Sequence, residues 1–98
     1  MTPPIEFHPR AVDEIQHELA YYGSRNPAAR SWLFAEIEAG IARIAEAPDR
    51  YEVVARGARR YLLKRFPFSI IYLATGDTIR IVAFAHAKRR PNYWKRRV

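Results

Sequence analysis

Cysteine is absent from this chain of 98 residues, and so is any long apolar run. Without cysteine the chain can form neither a disulfide nor a Cys-based zinc site, which fits a reducing compartment. A secretory signal and a membrane-spanning helix both require an apolar stretch that the sequence lacks. We therefore expect a cytoplasmic protein with no membrane partner.

Glycine is scarce, and histidine is sparse. Four isolated glycines exclude a glycine-rich phosphate-binding loop. His8, His17 and His86 lie far apart in the sequence, and no carboxylate spacing completes a ligand set around any of them. We expect no metal site and no cofactor.

Acidic residues are nearly missing from the second half of the chain. Residues 1–53 carry five Lys/Arg and nine Asp/Glu, a net charge of −4, whereas residues 54–98 carry twelve Lys/Arg and the single Asp77, a net charge of +11. Six cations between Lys88 and Arg97 surround a Tyr-Trp pair. Charge segregated in this way favours binding to phosphate or to an acidic protein surface.

The first half of the chain predicts one strand and two helices. "IEFH" (5–8) alternates apolar and polar residues and stops at Pro9, which predicts a short edge strand. A helical apolar spacing from Arg10 to about Gly23 predicts the first helix, with Asp13 and Glu14 in its first turn. Asn26 and Pro27 begin the second helix, which Ala47-Pro48 closes. Its apolar stripe consists of Leu33, Ile37, Ile41 and Ile44.

The second half predicts an antiparallel meander of three strands, "RRYLLKRF", "SIIYLAT" and "TIRIVAFAHA". Pro67 separates the first two strands, and Gly76-Asp77 forms a type II′ hairpin turn between the others. Alternation in the last strand places two sets of residues on opposite faces. We expect the core set to be Ile79, Ile81, Ala83 and Ala85, and the opposite set to be Arg80, Val82, Phe84 and His86.

Together these elements predict an α+β fold in a single domain over residues 1–98. An N-terminal strand precedes an antiparallel helical hairpin, and the hairpin packs on an antiparallel sheet. The pattern leaves open whether the Tyr61/Arg65 set or the Arg60/Lys64 set shares a face with His86.

The ordered combination from Arg60 to Trp94 resembles the RelE/ParE superfamily of bacterial type II toxins. The resemblance rests on an arginine before the first meander strand, the aromatic-Pro-aromatic turn at 66–68, and a pattern that starts at His86. That pattern continues with Arg89, Pro91, Tyr93 and Trp94. The resemblance covers essentially the whole chain and implies the fold described above.

The resemblance also implies a function and partners. A toxin of this superfamily is neutralised by a cognate antitoxin, whose acidic segment would wrap the basic surface and the helical hairpin. RelE-like members cut messenger RNA in the ribosome, whereas ParE-like members inhibit DNA gyrase. The turn at 66–68 and the "RRPNYW" ending look more like ParE, so gyrase inhibition is the first hypothesis. The alternatives are a ribosome-dependent ribonuclease and a non-toxic nucleic-acid-binding module.

If the chain were a nuclease, the candidate catalytic residues would be His86, Arg65, Arg89 and Tyr93. His86 could act as general base or acid, the arginines could hold the phosphate, and an aromatic ring could stack on a base. The structural alternative is that His86 bonds a backbone group and that the Tyr-Trp pair packs over the sheet. Ala87 stands where some nuclease relatives have tyrosine, and no carboxylate is placed to act as base. Whether the chain is an enzyme therefore stays open.

The same region supplies a candidate surface for the target or the antitoxin. Its expected members are Arg60, Lys64, Arg65, Arg89, Arg90, Tyr93 and Trp94.

Overall fold

The computed structural model describes residues 3–98 and shows two helices against one face of a five-stranded sheet. In chain order the elements are β1 (Ile5–Phe7), α1 (Pro9–Arg25), α2 (Pro27–Glu46), β2 (Glu52–Ala55), β3 (Ala58–Leu62), β4 (Phe68–Thr75) and β5 (Thr78–His86), followed by a single 3-10 turn (Lys95–Arg97). The sheet order is β1-β5-β4-β3-β2, with β1 parallel to β5 and the other pairs antiparallel. The predicted α+β fold is confirmed.

The helical hairpin turns at Asn26, which serves both helices. Its backbone N–H donates to the Tyr22 carbonyl at 2.9 Å and ends α1, while its side chain accepts from the Ala28 N–H at 2.9 Å and begins α2. The prediction that α1 ends at Gly23 is wrong, because the backbone leaves the helical conformation only at Asn26, where φ is −162°.

One strand escaped the sequence interpretation. β2 pairs with β3 across a two-residue turn in which Arg56 and Gly57 have φ of 51° and 82°. Two positive φ angles are typical of a type I′ hairpin turn, but arginine is a rare first residue for it, so the signal was weak. β3 also ends at Leu62, and residues 63–67 form a turn, because Pro67 cannot donate to a ladder.

A β-bulge in β5 reverses the predicted faces of its second half. Ile71 pairs with Ala83 and Tyr72 pairs with Ile81, so Val82 is the extra residue. Beyond it the alternation shifts by one. Phe84 therefore packs with the helices, and Ala83 and Ala85 lie on the opposite face. Val82 lies opposite the helices as predicted, but the faces predicted for Ala83, Phe84 and Ala85 are wrong, because a period of two assumes an unbroken ladder.

The two faces of the sheet carry separate hydrophobic clusters. The inner cluster joins both helices to the sheet through Leu33, Ile44, Tyr72 and Ile81, among others. Gly40 of α2 lies so close to the sheet that a Cβ there would be 2.8 Å from the Tyr61 ring, which is why a glycine occupies this helical position. The outer cluster is smaller and is completed by the chain's C-terminal residues.

Candidate interaction surface at the C-terminal segment

Residues 87–98, here called the C-terminal segment, fold back over the outer face of the sheet. Trp94 is 2% exposed and packs against Ala58, Ile71, Val82 and Ala83. Removing the ring from water stabilises the segment by about 2–3 kcal/mol on the usual area scale. The basic cluster therefore stands on an ordered structure.

Glu14 of α1 binds Tyr93 and Arg97 of this segment, and these three residues are here called the clasp. Both Arg97 guanidinium nitrogens Nη1 and Nη2 donate to the Glu14 carboxylate, at 2.9 and 3.1 Å, and the Tyr93 hydroxyl donates to it at 2.7 Å. The ion pair is largely buried. A two-pronged arginine–carboxylate pair of this kind is both strong and specific in orientation.

The clasp also closes a free edge of the sheet. β1 covers β5 only as far as Ile81. Beyond that point the Phe84 N–H donates to Glu14 at 3.0 Å, and the Val82 carbonyl accepts from Arg97 at 3.2 Å. Backbone groups that an edge strand would leave unpaired are thereby satisfied.

The clasp shifts the pKa of both acidic members. Burial raises the pKa of Glu14, but the hydrogen bonds from Arg97, Tyr93 and the Phe84 N–H outweigh it, so the net pKa lies below its ordinary value. Burial, and then donation to Glu14, raises the pKa of Tyr93 well above its ordinary value. Tyr93 is therefore a poor proton donor at neutral pH.

His86 lies at the end of β5 and is bonded to the backbone. Its Nδ1 accepts the Lys88 N–H at 2.9 Å, and its ring meets Phe68 edge-on. With Nδ1 accepting, the neutral imidazole carries its proton on Nε2, so no free acceptor nitrogen faces a substrate. Proton abstraction would require the Lys88 bond to break.

The expected basic residues fall into two groups. Arg89, Arg90 and Arg60 line a small cavity beside His86, and the Arg89 guanidinium lies 3.7 Å from the Tyr93 ring centroid. Lys64 and Arg65 lie in the β3–β4 turn, which the Glu36 carboxylate of α2 holds by accepting both of their backbone N–H groups. Arg65 lines neither of the two cavities that border His86 in residues 3–98.

The faces that the pattern left open are now assigned. Tyr61 belongs to the inner cluster, and its hydroxyl accepts from Arg43 at 3.0 Å. Arg60 therefore points to the outer face, where it pairs with Glu52 at 2.5 Å. Of the expected binding residues, Trp94 has almost no surface to offer a partner.

A second feature lies between the helices. α1 and α2 enclose an apolar groove of about 700 Å³, which Phe7 of β1 also lines. Phe7 and Phe34 contribute exposed rings to it, and the remaining wall is mainly aliphatic. Exposed apolar surface of this extent is typical of a protein–protein contact.

The sequence analysis did not identify Glu14 and Glu36 as the carboxylates that hold the C-terminal segment and the β3–β4 turn. Glu14 was assigned to the first turn of α1, but α1 begins at Pro9 and the carboxylate turns toward β5 instead. Both residues join elements far apart in the chain. The only available signal was their position among the few acids of a basic protein.

Comparison with known proteins decides the family. The family model described as "ParE toxin of type II toxin-antitoxin system, parDE" matches residues 5–91. The chain belongs to the ParE toxin family. It is the toxin component of a type II toxin–antitoxin module, and its partner is a cognate antitoxin.

Individual relatives agree with this assignment. Toxin ParE2 of Mycobacterium tuberculosis, in each of two strains, is 26% identical over 93 residues, which covers 94% of this chain and 89% of the relative. A solved structure described as the chromosomal ParDE TA system from P. aeruginosa shares the fold of this ParE-family toxin. Its TM-score is 0.74 at 16% identity, over 87% of this chain and 96% of the other.

Neither helix in residues 3–98 has the length and apolar character that a membrane span requires.

Proposed function

We propose that this toxin acts in the cytoplasm as a single domain over residues 1–98, and that it inhibits DNA gyrase without cutting nucleic acid. Membership of the ParE family supports the target class. The observation that carries the proposal is that the candidate nuclease groups are already engaged in hydrogen bonds within the protein. His86 Nδ1 is bonded to the backbone, and the Tyr93 hydroxyl is bonded to Glu14.

A ribonuclease would need these groups free. A general base must accept the 2′-hydroxyl proton, and a general acid must protonate the leaving oxygen. The neutral His86 ring has no open acceptor in this geometry, and the raised pKa of Tyr93 opposes proton transfer in either direction near neutrality. Cations alone would bind a phosphate without cleaving it.

The target-binding surface proposed here comprises the exposed cations Lys88, Arg89 and Arg90, together with Arg60 and the Lys64-Arg65 turn. Trp94 supports this surface from beneath and is left out of it. The charge of the second half of the chain would speed the encounter with an acidic partner.

The deciding experiment adds purified toxin, freed of antitoxin, to a gyrase supercoiling assay and to a translating-ribosome message cleavage assay in parallel. We expect loss of supercoiling with intact message. Cleaved message with unaffected gyrase would overturn the proposal, and His86→Ala and Arg65→Ala would then separate the catalytic roles.

Charge reversal locates the surface. We expect Arg90→Glu to reduce gyrase inhibition at least about tenfold, because it places a like charge against an acidic partner. Arg10→Glu makes the same charge change at the exposed start of α1 and serves as control. Equal losses from both variants would indicate that net charge, not this surface, is recognised.

We further propose that the antitoxin occupies the groove between α1 and α2 with an amphipathic helix, while an acidic part of it covers the basic surface. Helix-in-groove binding needs an apolar channel of this kind. Phe34→Glu should abolish co-purification with the antitoxin encoded beside the toxin gene. Trp32→Glu, which alters an exposed ring of the same helix outside the groove lining, should leave the complex intact.

A further inference from the structure

A small cavity lies on the outer face of the sheet, beneath the turn that leads from β5 to Trp94. Its volume is about 160 Å³, which is several times the volume of a water molecule and enough for one phosphate group. The floor is formed by sheet residues such as Ile71 and Ser69. Its roof is the first half of the C-terminal segment.

The lining of this cavity includes three arginines from two parts of the chain. Arg60 projects from β3, and Arg89 and Arg90 project from the turn after β5, with His86 at the end of the strand. Ser69, a mostly buried polar residue, lies in its floor. Within residues 3–98 no carboxylate lines the cavity.

Arg60 has one donor in use and one orphaned. Its Nη2 pairs with the Glu52 carboxylate at 2.5 Å, whereas its Nε is buried and has no hydrogen-bond partner in the described residues. A buried donor without a partner is costly and calls for an explanation. Nε and Nη2 form one edge of the guanidinium, which matches two oxygens of an oxyanion.

An incoming anion could displace Glu52 from Arg60. Its side chain is mostly exposed, so releasing Arg60 into contact with another anion costs it little desolvation. An oxyanion in the cavity would satisfy Nε and would compete with Glu52 for Nη2. The internal ion pair then acts as a competitor for the site.

We propose that this cavity binds a single phosphate group, with Arg60 as its main donor and Glu52 as the internal competitor for the same guanidinium. Three arginines, one from β3 and two from the turn after β5, suit the several oxygens of a phosphate better than the two of a carboxylate. The site does not depend on which target the toxin inhibits. A null result in the gyrase assay would leave it untouched.

The test is a titration of ¹⁵N-labelled full-length toxin with inorganic phosphate at constant ionic strength, followed by nuclear magnetic resonance. We expect saturable shifts of the Arg60 Nε–Hε signal and of the amides around Asn92. Arg60→Lys keeps the charge but loses the Nε–H, and it should weaken binding about tenfold because the two-donor edge is gone. Arg25→Lys, on an exposed arginine at the end of α1, should change nothing.

Glu52→Gln gives the more stringent test, because the proposal predicts that this variant binds phosphate more tightly. Removing the competing carboxylate should tighten phosphate binding by about threefold or more. A variant that folds poorly cannot imitate that result. Unsaturable shifts, equal affinities for the wild type and Arg60→Lys, or unchanged or weaker binding by Glu52→Gln would each overturn the proposal.

The source of the phosphate is separated by two further probes at equal phosphate concentration. Glycerol 3-phosphate represents a small phosphomonoester, and a short single-stranded oligonucleotide represents a phosphodiester backbone. The probe that displaces inorganic phosphate at lower concentration identifies the source, and displacement by neither assigns the site to free phosphate. All three results keep the site, since each requires the same phosphate contacts.

Discussion

The two faces of the sheet are stabilised in different ways. On the inner face, thirteen buried side chains of residues 3–98 share the contact with α1 and α2. On the outer face of the same residues the hydrophobic cluster has only five buried members, and Trp94 is the one that comes from the C-terminal segment, with Tyr93 and Val98 packed beside it. Stability is therefore distributed on the inner face and concentrated on the outer face, next to the residues proposed to meet the target.

The contrast explains why the basic end of the chain is ordered although it is so highly charged. Six cations within ten residues repel one another and favour an extended chain. Trp94 supplies apolar burial, and Glu14 supplies a negative charge from a distant helix. Those two residues offset the repulsion, so each should be unusually sensitive to mutation.

The largest effect is expected from Trp94→Ala. It should lower the free energy of unfolding by about 4 kcal/mol, since it leaves a cavity in a cluster whose other buried members are aliphatic. Urea denaturation followed by circular dichroism measures it. The control is Trp32→Ala, which removes the same side chain where it is 58% exposed and should cost under about 0.5 kcal/mol.

Truncation of the inner face should come next. Leu33→Ala removes a fully buried side chain of α2, and we expect a loss of about 3 kcal/mol by the same measurement. Because many other buried side chains also join the helices to the sheet, the native circular dichroism spectrum and antitoxin binding should persist. A loss larger than that of Trp94→Ala would contradict the contrast between the two faces.

Glu14→Gln should weaken the clasp by about 2 kcal/mol, because Arg97 would remain largely buried without a charged partner. It also has a pH signature. The pKa of Glu14 is lower in the folded than in the unfolded state, so its stabilisation is present above the unfolded value of about 4.5 and is lost as pH falls through the folded pKa.

Acid unfolding of the two proteins checks that signature. Wild-type toxin should lose stability more steeply than Glu14→Gln below about pH 4.5, and the two curves should converge at low pH. Parallel curves across this range would show that the carboxylate contributes no charge-dependent stability.

The smallest effect is expected from His86→Ala. It removes the acceptor of one backbone N–H at an exposed turn and should cost about 1 kcal/mol or less. Gyrase inhibition should stay within about twofold of the wild type, because the proposed mechanism uses no proton transfer. Loss of inhibition with unchanged stability would instead give His86 a direct part in the function.

Sequence patterns predicted most of the fold but less of the candidate site. The start of α2, the type II′ turn and the edge position of β1 follow from local preferences of proline, asparagine and glycine, and α1 begins one residue before the predicted Arg10. Gly76 indeed has a positive φ of 53° at the first turn position. The bulge at Val82 and the strand β2 were missed, since an added residue in a ladder and an Arg-Gly turn leave only faint local signals.

For the site, composition indicated the right region but not which of its residues are buried or held by other contacts. Arg89, Arg90 and Arg60 do line one cavity beside His86. Trp94 lies beneath the surface, and Arg65 belongs to a separate turn held by Glu36. Spacing along the chain cannot distinguish a ring that faces a partner from one that faces the sheet.

The class of fold, the segregation of charge and the resemblance to the toxin family can be read from the sequence, because they depend on periodicity and on residue types in order. Which groups are free to act depends on the tertiary structure. The bond from Arg97 to Glu14 spans 83 residues, and Arg60 meets Glu52 because β2 pairs with β3. Such contacts depend on how distant elements pack, and no local pattern encodes them.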